Sequence, residues 1–253
     1  MFTQAIVRTP CPELIHGLTT AQLGTPDFEK ALTQHRAYIQ ALRECGLKVT
    51  VLPADSRYPD STFIEDVALC TSKGVVITRP GATSRRGEIK GMKEILAPFF
   101  EHIEMIELPG TLEAGDVMMV GDHYYIGLSE RTNAEGGHQL IKILESWGLS
   151  GSMVPLQEVL HLKTGLSYLE NNNLLVCGEF VNAPVFKDFN RIIVDASEAY
   201  AANSLWINGH ALVPAGFPKT KAKIEAIGYP MIELDVSEFE KLDGGLSCLS
   251  LRF

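Results

Sequence analysis

Apolar and polar residues follow one another along this chain in a pattern that recurs from about residue 60 onward. An apolar run over 67–70 leads through the turn Lys73-Gly74 to a second run over 75–78, a helical pattern near 89–99 and a third run over 103–108. Short apolar runs bounded by turn residues are typical of buried strands. The first unit is therefore predicted as two strands, a helix and a third strand.

The same order returns three more times, less regularly toward the end. Further predicted strands lie over 117–120, 124–127, 153–156, 174–177, 204–207 and 211–214, with a helix over about 134–147. A fifth unit needs both ends of the chain: the closing run over 246–251 is completed by elements near 6–8, 26–45 and 49–52. Repetition of one supersecondary unit indicates an array around a common centre.

The helix predicted near 26–45 is the clearest of the chain. Its apolar positions recur at steps of three and four residues, at Leu32, His35, Tyr38, Ile39 and Leu42. Thr25-Pro26 fits a cap followed by a first helical position, and Gly46 fits a stop. We therefore expect the helix to begin at Pro26 and to end before Gly46.

Composition and charge narrow the classes of function. The 253 residues are 45% hydrophobic and 21% charged, with a formal net charge of -9. Phosphate binding needs clustered Lys and Arg, and the basic pairs here are isolated, so we expect no nucleic-acid partner and a small cationic ligand instead. No apolar run is long enough to cross a bilayer and no signal segment opens the sequence. We therefore expect no membrane partner and a cytoplasmic location.

The five cysteines are an odd set without a CxxC pair, which argues against a disulfide framework and a zinc knuckle. Cys248 follows Gly244-Gly245, and paired glycines let a backbone approach a ligand closely. This context predicts a thiol at the edge of the last strand. A lone Cys among Leu and Ser is also a common small core residue, so both interpretations stay open on this evidence.

His161 and Glu113 stand near the starts of their units. The unit starts Phe63, Leu112 and His161 are each 49 residues apart, so these side chains occupy equivalent places in the repeat. An imidazole exchanges a proton near pH 7, and a neighbouring carboxylate would orient it as in a catalytic triad. The alternatives are a hydrogen-bonded core histidine and a surface acid.

Three carboxylates, Asp60, Glu65 and Asp66, lie beside a predicted buried strand. Buried carboxylates need a cation or hydrogen-bond donors, and a guanidinium offers five N–H donors in a fixed plane. If the segment is a strand, Asp60 and Asp66 share one face, whereas a loop would break this inference. Arg85 and Arg131 open two successive loops after strands. Together they could clamp a carboxylate, although each alone is more often a solvated arginine.

Five sequence runs occur in an order and spacing that resemble one known family. They are FIED at 63–66, LEAGD at 112–116, SERTNAEG at 129–136, LHLKTG at 160–165 and DGGLSCLSLRF at 243–253. They resemble the bacterial dimethylarginine dimethylaminohydrolases, members of the guanidino-group-modifying (pentein) superfamily, over essentially the whole chain. The resemblance implies a five-bladed α/β propeller of ββαβ units, forming a single catalytic domain over 1–253, which the repeats indicate independently.

The resemblance also implies an activity. The substrate would be an Nω-methylated arginine, either asymmetric dimethylarginine or monomethylarginine, and the products citrulline and dimethylamine or methylamine. Cys248 would attack the guanidinium carbon and form a covalent thiouronium intermediate. His161 would protonate the departing amine and then activate water, with Glu113 completing the catalytic set. This scheme uses no metal and no organic cofactor.

The contacts to substrate that the resemblance implies involve seven residues. Glu65 and Asp66 would hold the guanidinium, Asp60 and the carbonyl of Leu18 the α-ammonium, Arg85 and Arg131 the α-carboxylate, and Leu242 would lie nearby as an aliphatic residue. Relatives include dimers, so a homodimer is expected.

Two alternative functions stay open. One is the same chemistry on another substrate, as in arginine deiminases or amidinotransferases, although those relatives usually have longer chains or different acidic motifs. The other is a noncatalytic binding module on the same fold, which would lack the nucleophile. The joint presence of Cys248, His161 and Glu113 argues against the second alternative.

Overall fold

The computed structural model describes all 253 residues, Met1 to Phe253, and contains fifteen strands in five three-stranded sheets. The strands are β1 (Gln4–Arg8), β2 (Lys48–Leu52), β3 (Ala68–Cys70), β4 (Val75–Ile77), β5 (Ile103–Met105), β6 (Val117–Val120), β7 (His123–Leu128), β8 (Ser150–Pro155), β9 (Leu166–Tyr168), β10 (Asn173–Val176), β11 (Asn190–Ile193), β12 (Leu205–Ile207), β13 (His210–Pro214), β14 (Met231–Leu234) and β15 (Leu251–Arg252).

Six α-helices connect or flank these strands. They are α1 (Phe28–Glu44), α2 (Met92–Leu96), α3 (Ala134–Ser146), α4 (Leu162–Gly165), α5 (Pro218–Ala226) and α6 (Ser237–Glu240). None of them is both long and apolar enough to span a membrane.

Every sheet follows one pairing rule. The middle strand runs antiparallel to the first strand of its ββαβ repeat and parallel to the third, as β7 does with β6 and β8. The other sheets have the orders β3-β4-β5, β9-β10-β11, β12-β13-β14 and β15-β1-β2. Parallel neighbours require a crossover connection. Helices α1, α2, α3 and α5 lie in four crossovers, and two 3-10 helices, Gly178–Asn182 and Pro184–Phe186, lie in the fifth.

The fifth sheet joins the two ends of the chain, as the sequence predicts. Strand β1 pairs with β15 through Ala5 and Arg252, and with β2 through Gln4 and Lys48. The first and last strands of the molecule are therefore neighbours in one sheet.

Contacts between Cα atoms divide the chain into two compact units. The first unit comprises Met1–Ile64 and Thr164–Arg252, and the second comprises Glu65–Lys163 with Phe253. In the first unit the buried face of α1 packs into an apolar core with residues of β12 and the C-terminal segment. In the second unit, Leu140 and Leu144 of α3 pack against Tyr124 and Ile126 of β7. Helix α1 is thus buried against elements of the first unit, and helix α3 against a sheet of the second.

The start of α1 differs from the sequence prediction. The helix is capped by Asp27, whose side chain accepts a hydrogen bond from the Lys30 N–H at 3.0 Å, and not by Thr25. An Asp at this position satisfies one of the unpaired N–H groups of the first turn. Gly46, with φ of 87°, follows the helix end as predicted.

The end of the chain also corrects a prediction, because 246–251 is not one continuous strand. Ser247–Leu249 forms a 3-10 turn, and only Leu251–Arg252 is extended. The cause lies in side-chain partners for the backbone. The Ser247 N–H donates to the Asn203 side chain at 3.0 Å, and the Tyr200 hydroxyl donates to the Gly244 carbonyl at 2.8 Å. Backbone groups paired in this way are not available to a sheet.

Two adjacent glycines of α3 give a matched test of the packing in the second unit. We expect Gly136→Ala to lower the free energy of unfolding by about 1–3 kcal/mol, because the new methyl group would collide with the Thr111 backbone carbonyl. Gly137→Ala should be neutral or stabilising by up to about 1 kcal/mol, because its only close contact would be with the flexible end of Met153, at 2.9 Å from Sδ, and Leu128 Cδ2 at 3.6 Å is an ordinary contact. Alanine also favours a helix over glycine. Urea unfolding of both variants measures the difference, and equal stabilities would contradict this account.

Candidate functional site

A short helical segment stands before the first strand of each sheet, one turn long in four sheets and made of two 3-10 helices joined at a kink before β12. These segments are Ile64–Val67, Ala114–Asp116, Leu162–Gly165, Ala196–Ala202 and Ser247–Leu249. Asp66, Glu113, His161 and Cys248 lie in or beside four of them. The chemistry-bearing residues predicted from the repeat therefore occupy one recurring local structure.

Glu113 and His161 form a close pair within the second unit. The Glu113 Oε2 atom lies 2.8 Å from His161 Nε2, and Oε1 accepts a hydrogen bond from the Ala82 N–H at 3.1 Å. The Arg131 Nη1 atom is 3.6 Å from Oε1. Glu113 is completely buried, so this carboxylate faces protein donors on both of its oxygens.

The pair shifts both proton affinities in favour of charge. Burial alone would raise the pKa of Glu113, but the hydrogen bond and charge of His161, together with Arg85, lower it to about 2. Burial alone would lower the pKa of His161, but the carboxylates of Asp116, Asp66 and Glu113 raise it to about 9. His161 is therefore an imidazolium near pH 7, which is the protonation state of a general acid.

Asp66 belongs to a second buried ion pair in the same unit. Its Oδ2 atom accepts a hydrogen bond from Arg85 Nη1 at 2.5 Å, and Arg85 makes a two-point contact with Glu88 at 3.0 and 2.9 Å. The other oxygen, Oδ1, accepts the Gly115 N–H at 3.0 Å. A side chain on Gly115 would place its Cβ 2.8 Å from that oxygen, so glycine allows this approach. Asp66 is thereby fixed in place by a cation and a backbone amide.

The two predicted carboxylate-binding arginines have different surroundings. Arg85 is 5% exposed and its guanidinium contacts Asp66 and Glu88, whereas the Arg131 side chain is 19% exposed. Burial alone would lower the pKa of Arg85, but the carboxylates of Glu88, Asp66 and Glu113 raise it well above its ordinary value. The role of both arginines toward a substrate stays a prediction, but Arg131 is the more accessible of the two.

Glu65 has a partner that the sequence analysis missed. Lys163 Nζ lies 2.6 Å from Glu65 Oε1, and the glutamate is 3% exposed. Glu88 was missed in the same way. Lys163 lies within the LHLKTG run and Glu88 three residues after Arg85, and the need of a buried charge for an opposite charge is the signal that predicts both.

The first unit carries Cys248 in its own turn. The Cys248 N–H donates to the Gly245 carbonyl at 3.1 Å, and the Gly245 N–H points to the thiol at 3.4 Å from Sγ. The Ser247 hydroxyl lies 3.9 Å from Sγ. The sulfur thus has two polar neighbours in its own turn, and Cys248 also packs against the apolar core of the first unit. The thiol is partly buried, and it lies in a 3-10 turn and not at the predicted strand edge.

Both glycines before Cys248 are required by close packing. A methyl group on Gly244 would collide with the Phe63 ring, and one on Gly245 would collide with the Asn203 side chain. Asn203 also donates from Nδ2 to the Ser247 hydroxyl at 3.0 Å. Asn203 lies at the end of the turn that precedes β12, and nothing in the sequence alone singled it out.

Asp60, Leu18 and Leu242 come together in the first unit. The Leu18 N–H donates to Asp60 Oδ1 at 2.9 Å. A Cβ on the neighbouring Gly17 would lie 2.7 Å from the same oxygen and 3.2 Å from Leu242 Cδ1. Asp60 lies in a turn, so the predicted shared strand face with Asp66 does not apply.

Asp66, Glu113 and His161 also have the composition of a cation site, since one ligand atom from each falls within 4.8 Å of the others. Their atoms are engaged differently. Asp66 pairs with Arg85, and Glu113 pairs with His161, whose raised pKa opposes the neutral imidazole that a metal needs. The donor set therefore suits proton transfer better than metal binding.

The geometry can be compared with known proteins. Residues 25–196 match the family described as N,N dimethylarginine dimethylhydrolase, eukaryotic. The chain is 58% identical to the N(G),N(G)-dimethylarginine dimethylaminohydrolase of Pseudomonas aeruginosa, over 100% of both chains. The chain belongs to the dimethylarginine dimethylaminohydrolase family.

Structures from the dimethylarginine dimethylaminohydrolase family have the same fold. A cysteine-to-serine variant of the Pseudomonas aeruginosa protein, complexed with citrulline, matches with a TM-score of 0.99 at 57% identity over 100% of both chains. A histidine-to-glycine variant, as an adduct with S-methyl-L-thiocitrulline, matches with the same TM-score, identity and coverage. The predicted family and the predicted five-bladed α/β propeller are confirmed.

The charge state of the Glu113–His161 pair is open to measurement. In an NMR titration of the protein with labelled histidine, we expect the His161 ring to titrate with a midpoint near 9. Glu113→Gln should lower that midpoint, because the negative charge next to the ring is lost. His123 serves as an internal control, because burial lowers its pKa below the ordinary value.

The pairing also makes the stability of the protein depend on pH. The pKa of His161 is raised on folding, so its contribution is fully present below about pH 6.5 and is lost as pH rises through about 9. The pKa of Glu113 is lowered on folding, so its contribution is fully present above about pH 4.5 and is lost as pH falls through about 2. A His161 midpoint at or below that of His123 would contradict the assignment.

Proposed function

We propose that this protein hydrolyses Nω-methylated arginines to citrulline and the corresponding methylamine, through a covalent intermediate on Cys248. The observation that carries the proposal is the 58% identity to the Pseudomonas aeruginosa dimethylarginine dimethylaminohydrolase along the full length of both chains. The Glu113–His161 pair and the turn that carries Cys248 support it, because the reaction needs an acid and a thiol.

The first half of the proposed reaction forms a bond from sulfur to carbon. Guanidinium is a weak electrophile because its charge is delocalised, so the thiolate of Cys248 is the nucleophile that suits it. Attack on the guanidinium carbon gives a tetrahedral adduct. The carbon–nitrogen bond to the methylated nitrogen then breaks, and His161 donates its proton to the departing amine. A thiouronium on Cys248 is left.

The second half reverses these roles. Neutral His161 takes a proton from water, and the resulting hydroxide adds to the thiouronium carbon. The carbon–sulfur bond then breaks, and citrulline and the thiol are released. Glu113 stabilises the imidazolium that forms in this step, in the way the carboxylate of a triad does. Its low pKa keeps it charged throughout.

Substrate contacts follow from charge in the same scheme. Asp66 and Glu65 accept N–H bonds from the guanidinium, and the fixed position of Asp66 sets the plane of the reacting carbon. Asp60 and the Leu18 carbonyl receive the α-ammonium, with Leu242 beside them. Arg131 binds the α-carboxylate. Arg85 also binds the α-carboxylate, while its guanidinium keeps its contacts with Asp66 and Glu88.

Preference among arginines tests the proposed function directly. We expect kcat/KM for asymmetric dimethylarginine and monomethylarginine to exceed that for arginine, measured as citrulline formation at one pH. Burying one methyl group contributes only about 1 kcal/mol. A strong preference therefore requires that the extra N–H groups of arginine find no hydrogen-bond acceptors in the site.

The control for that assay is Cys248→Ser, which should form no citrulline while keeping the fold, because an unactivated hydroxyl is a far weaker nucleophile. If kcat/KM for arginine equals or exceeds that for the methylated substrates, the protein is an arginine deiminase instead. If Cys248→Ser retains activity, the covalent scheme is wrong.

The carboxylate clamp gives a second test. Arg131→Ala should weaken substrate binding by about 1–3 kcal/mol, the range for a lost charge-assisted hydrogen bond. The loss should disappear with alkylguanidines that lack the α-carboxylate. Arg57→Ala is the matched control, since the Arg57 side chain is 72% exposed and pairs with Asp55 in another loop. An equal loss with alkylguanidines would show that Arg131 serves the fold.

A further inference from the structure

Asp116 is a buried carboxylate for which the scheme above has no use. It has no measurable exposure, and its hydrogen-bond partners are the neutral groups Ser129, Thr132 and the Leu162 N–H. An uncompensated carboxylate at such depth is costly. Burial raises the pKa of Asp116, and the charge of His161 and the hydrogen bonds oppose this rise.

One oxygen of Asp116 holds the peptide that follows His161. Asp116 Oδ1 accepts the Leu162 N–H at 2.9 Å. Gly127 allows this approach, because a Cβ there would lie 3.2 Å from Oδ1 and 2.9 Å from Leu162 Cβ. The turn on which the imidazole stands is therefore attached to a fixed carboxylate.

The other oxygen holds the loop of Arg131. Ser129 donates its hydroxyl to Asp116 Oδ2 at 2.6 Å. The same Ser129 oxygen accepts the N–H groups of Arg131 at 3.0 Å and Thr132 at 3.2 Å. The Thr132 hydroxyl in turn accepts the Glu113 N–H at 3.1 Å. A single carboxylate thus connects the backbones at His161, Arg131 and Glu113.

The charge of Asp116 also acts on His161. The negative groups that favour the imidazolium are Asp116, Asp66 and Glu113, and the positive groups in contact with these carboxylates are Arg85, which pairs with Asp66, and Arg131, 3.6 Å from Glu113 Oε1. Glu113 touches the ring nitrogen, but Asp116 acts across the Leu162 peptide without a direct bond to the ring.

We infer that Asp116 is a positioning residue for the reaction: it fixes the turn of His161, fixes the loop of Arg131 through Ser129, and places a buried carboxylate beside the peptide that follows the imidazole. The inference rests on the proposed function for the consequences in turnover. Its structural part concerns the second unit alone and can be measured without substrate.

The decisive variant is Asp116→Asn, which keeps the volume and one carbonyl oxygen but removes the charge. We expect the His161 midpoint to fall by at least about one pH unit, the effect of one charge about 12 Å away at an effective dielectric constant of about 20. If the midpoint moves from about 9 to about 8, the protonated fraction falls about twofold at about pH 8 and about tenfold at about pH 10, and kcat for asymmetric dimethylarginine should fall by similar factors. KM should change less than kcat. The alkaline limb of the pH profile should move to lower pH.

Ser129→Ala separates the two connections. It keeps the charge but removes the bridge to Arg131, so KM should rise while the His161 midpoint stays in place. Asp122→Asn, the same substitution at an exposed turn residue, should change neither quantity. A purely structural role for Asp116 would lower stability without moving the His161 midpoint or the pH profile.

The outcomes distinguish this inference from the proposed function. An inactive wild type would reject the function, whereas the NMR titration would still test Asp116. An unchanged His161 midpoint in folded Asp116→Asn overturns the inference. If Asp116→Asn does not fold, Ser129→Ala decides, and an unchanged KM in that variant overturns it.

Discussion

Buried negative charge is the constraint on which the second unit depends. Asp66, Glu113 and Asp116 are each at most 3% exposed, and carboxylates at this depth remain charged only where donors surround them. The protein meets this requirement in three ways: with Arg85 for Asp66, with His161 for Glu113, and with neutral hydrogen-bond donors for Asp116. Placing these donors fixes the loops that carry them, so the electrostatics and the local backbone form one arrangement.

Local patterns predicted much of the fold. Residues 117–120 form a strand with the predicted bounds, and the helix near 134–147 and the strand near 211–214 are correct within a residue or two. Their boundaries depend on turn residues and apolar spacing, which are visible locally. The predicted cap of α1 at Thr25 and the predicted continuous strand over 246–251 were wrong. In both cases the cause is a partner more than forty residues away: Glu238 accepts the Asp27 N–H, and Asn203 accepts the Ser247 N–H.

The candidate site divides in the same way. Residue type and place in the repeat were enough to single out Cys248, His161, Glu113 and Asp66, since a recurring turn presents the equivalent position in each unit. Compensating residues such as Glu88, Lys163 and Asn203 carry no motif of their own. Folding alone places them against a buried charge or a backbone amide, so the structure identifies them and the sequence does not.

The pairing of β1 with β15 has a consequence for the order of folding. Ala5 and Arg252 are nearly the full chain apart, so closing this contact carries the largest loop entropy in the molecule and favours its formation late. Cys248 stands three residues before β15. Its turn is therefore completed among the last events of folding, and a partly folded chain holds its other elements before it acquires an organised thiol.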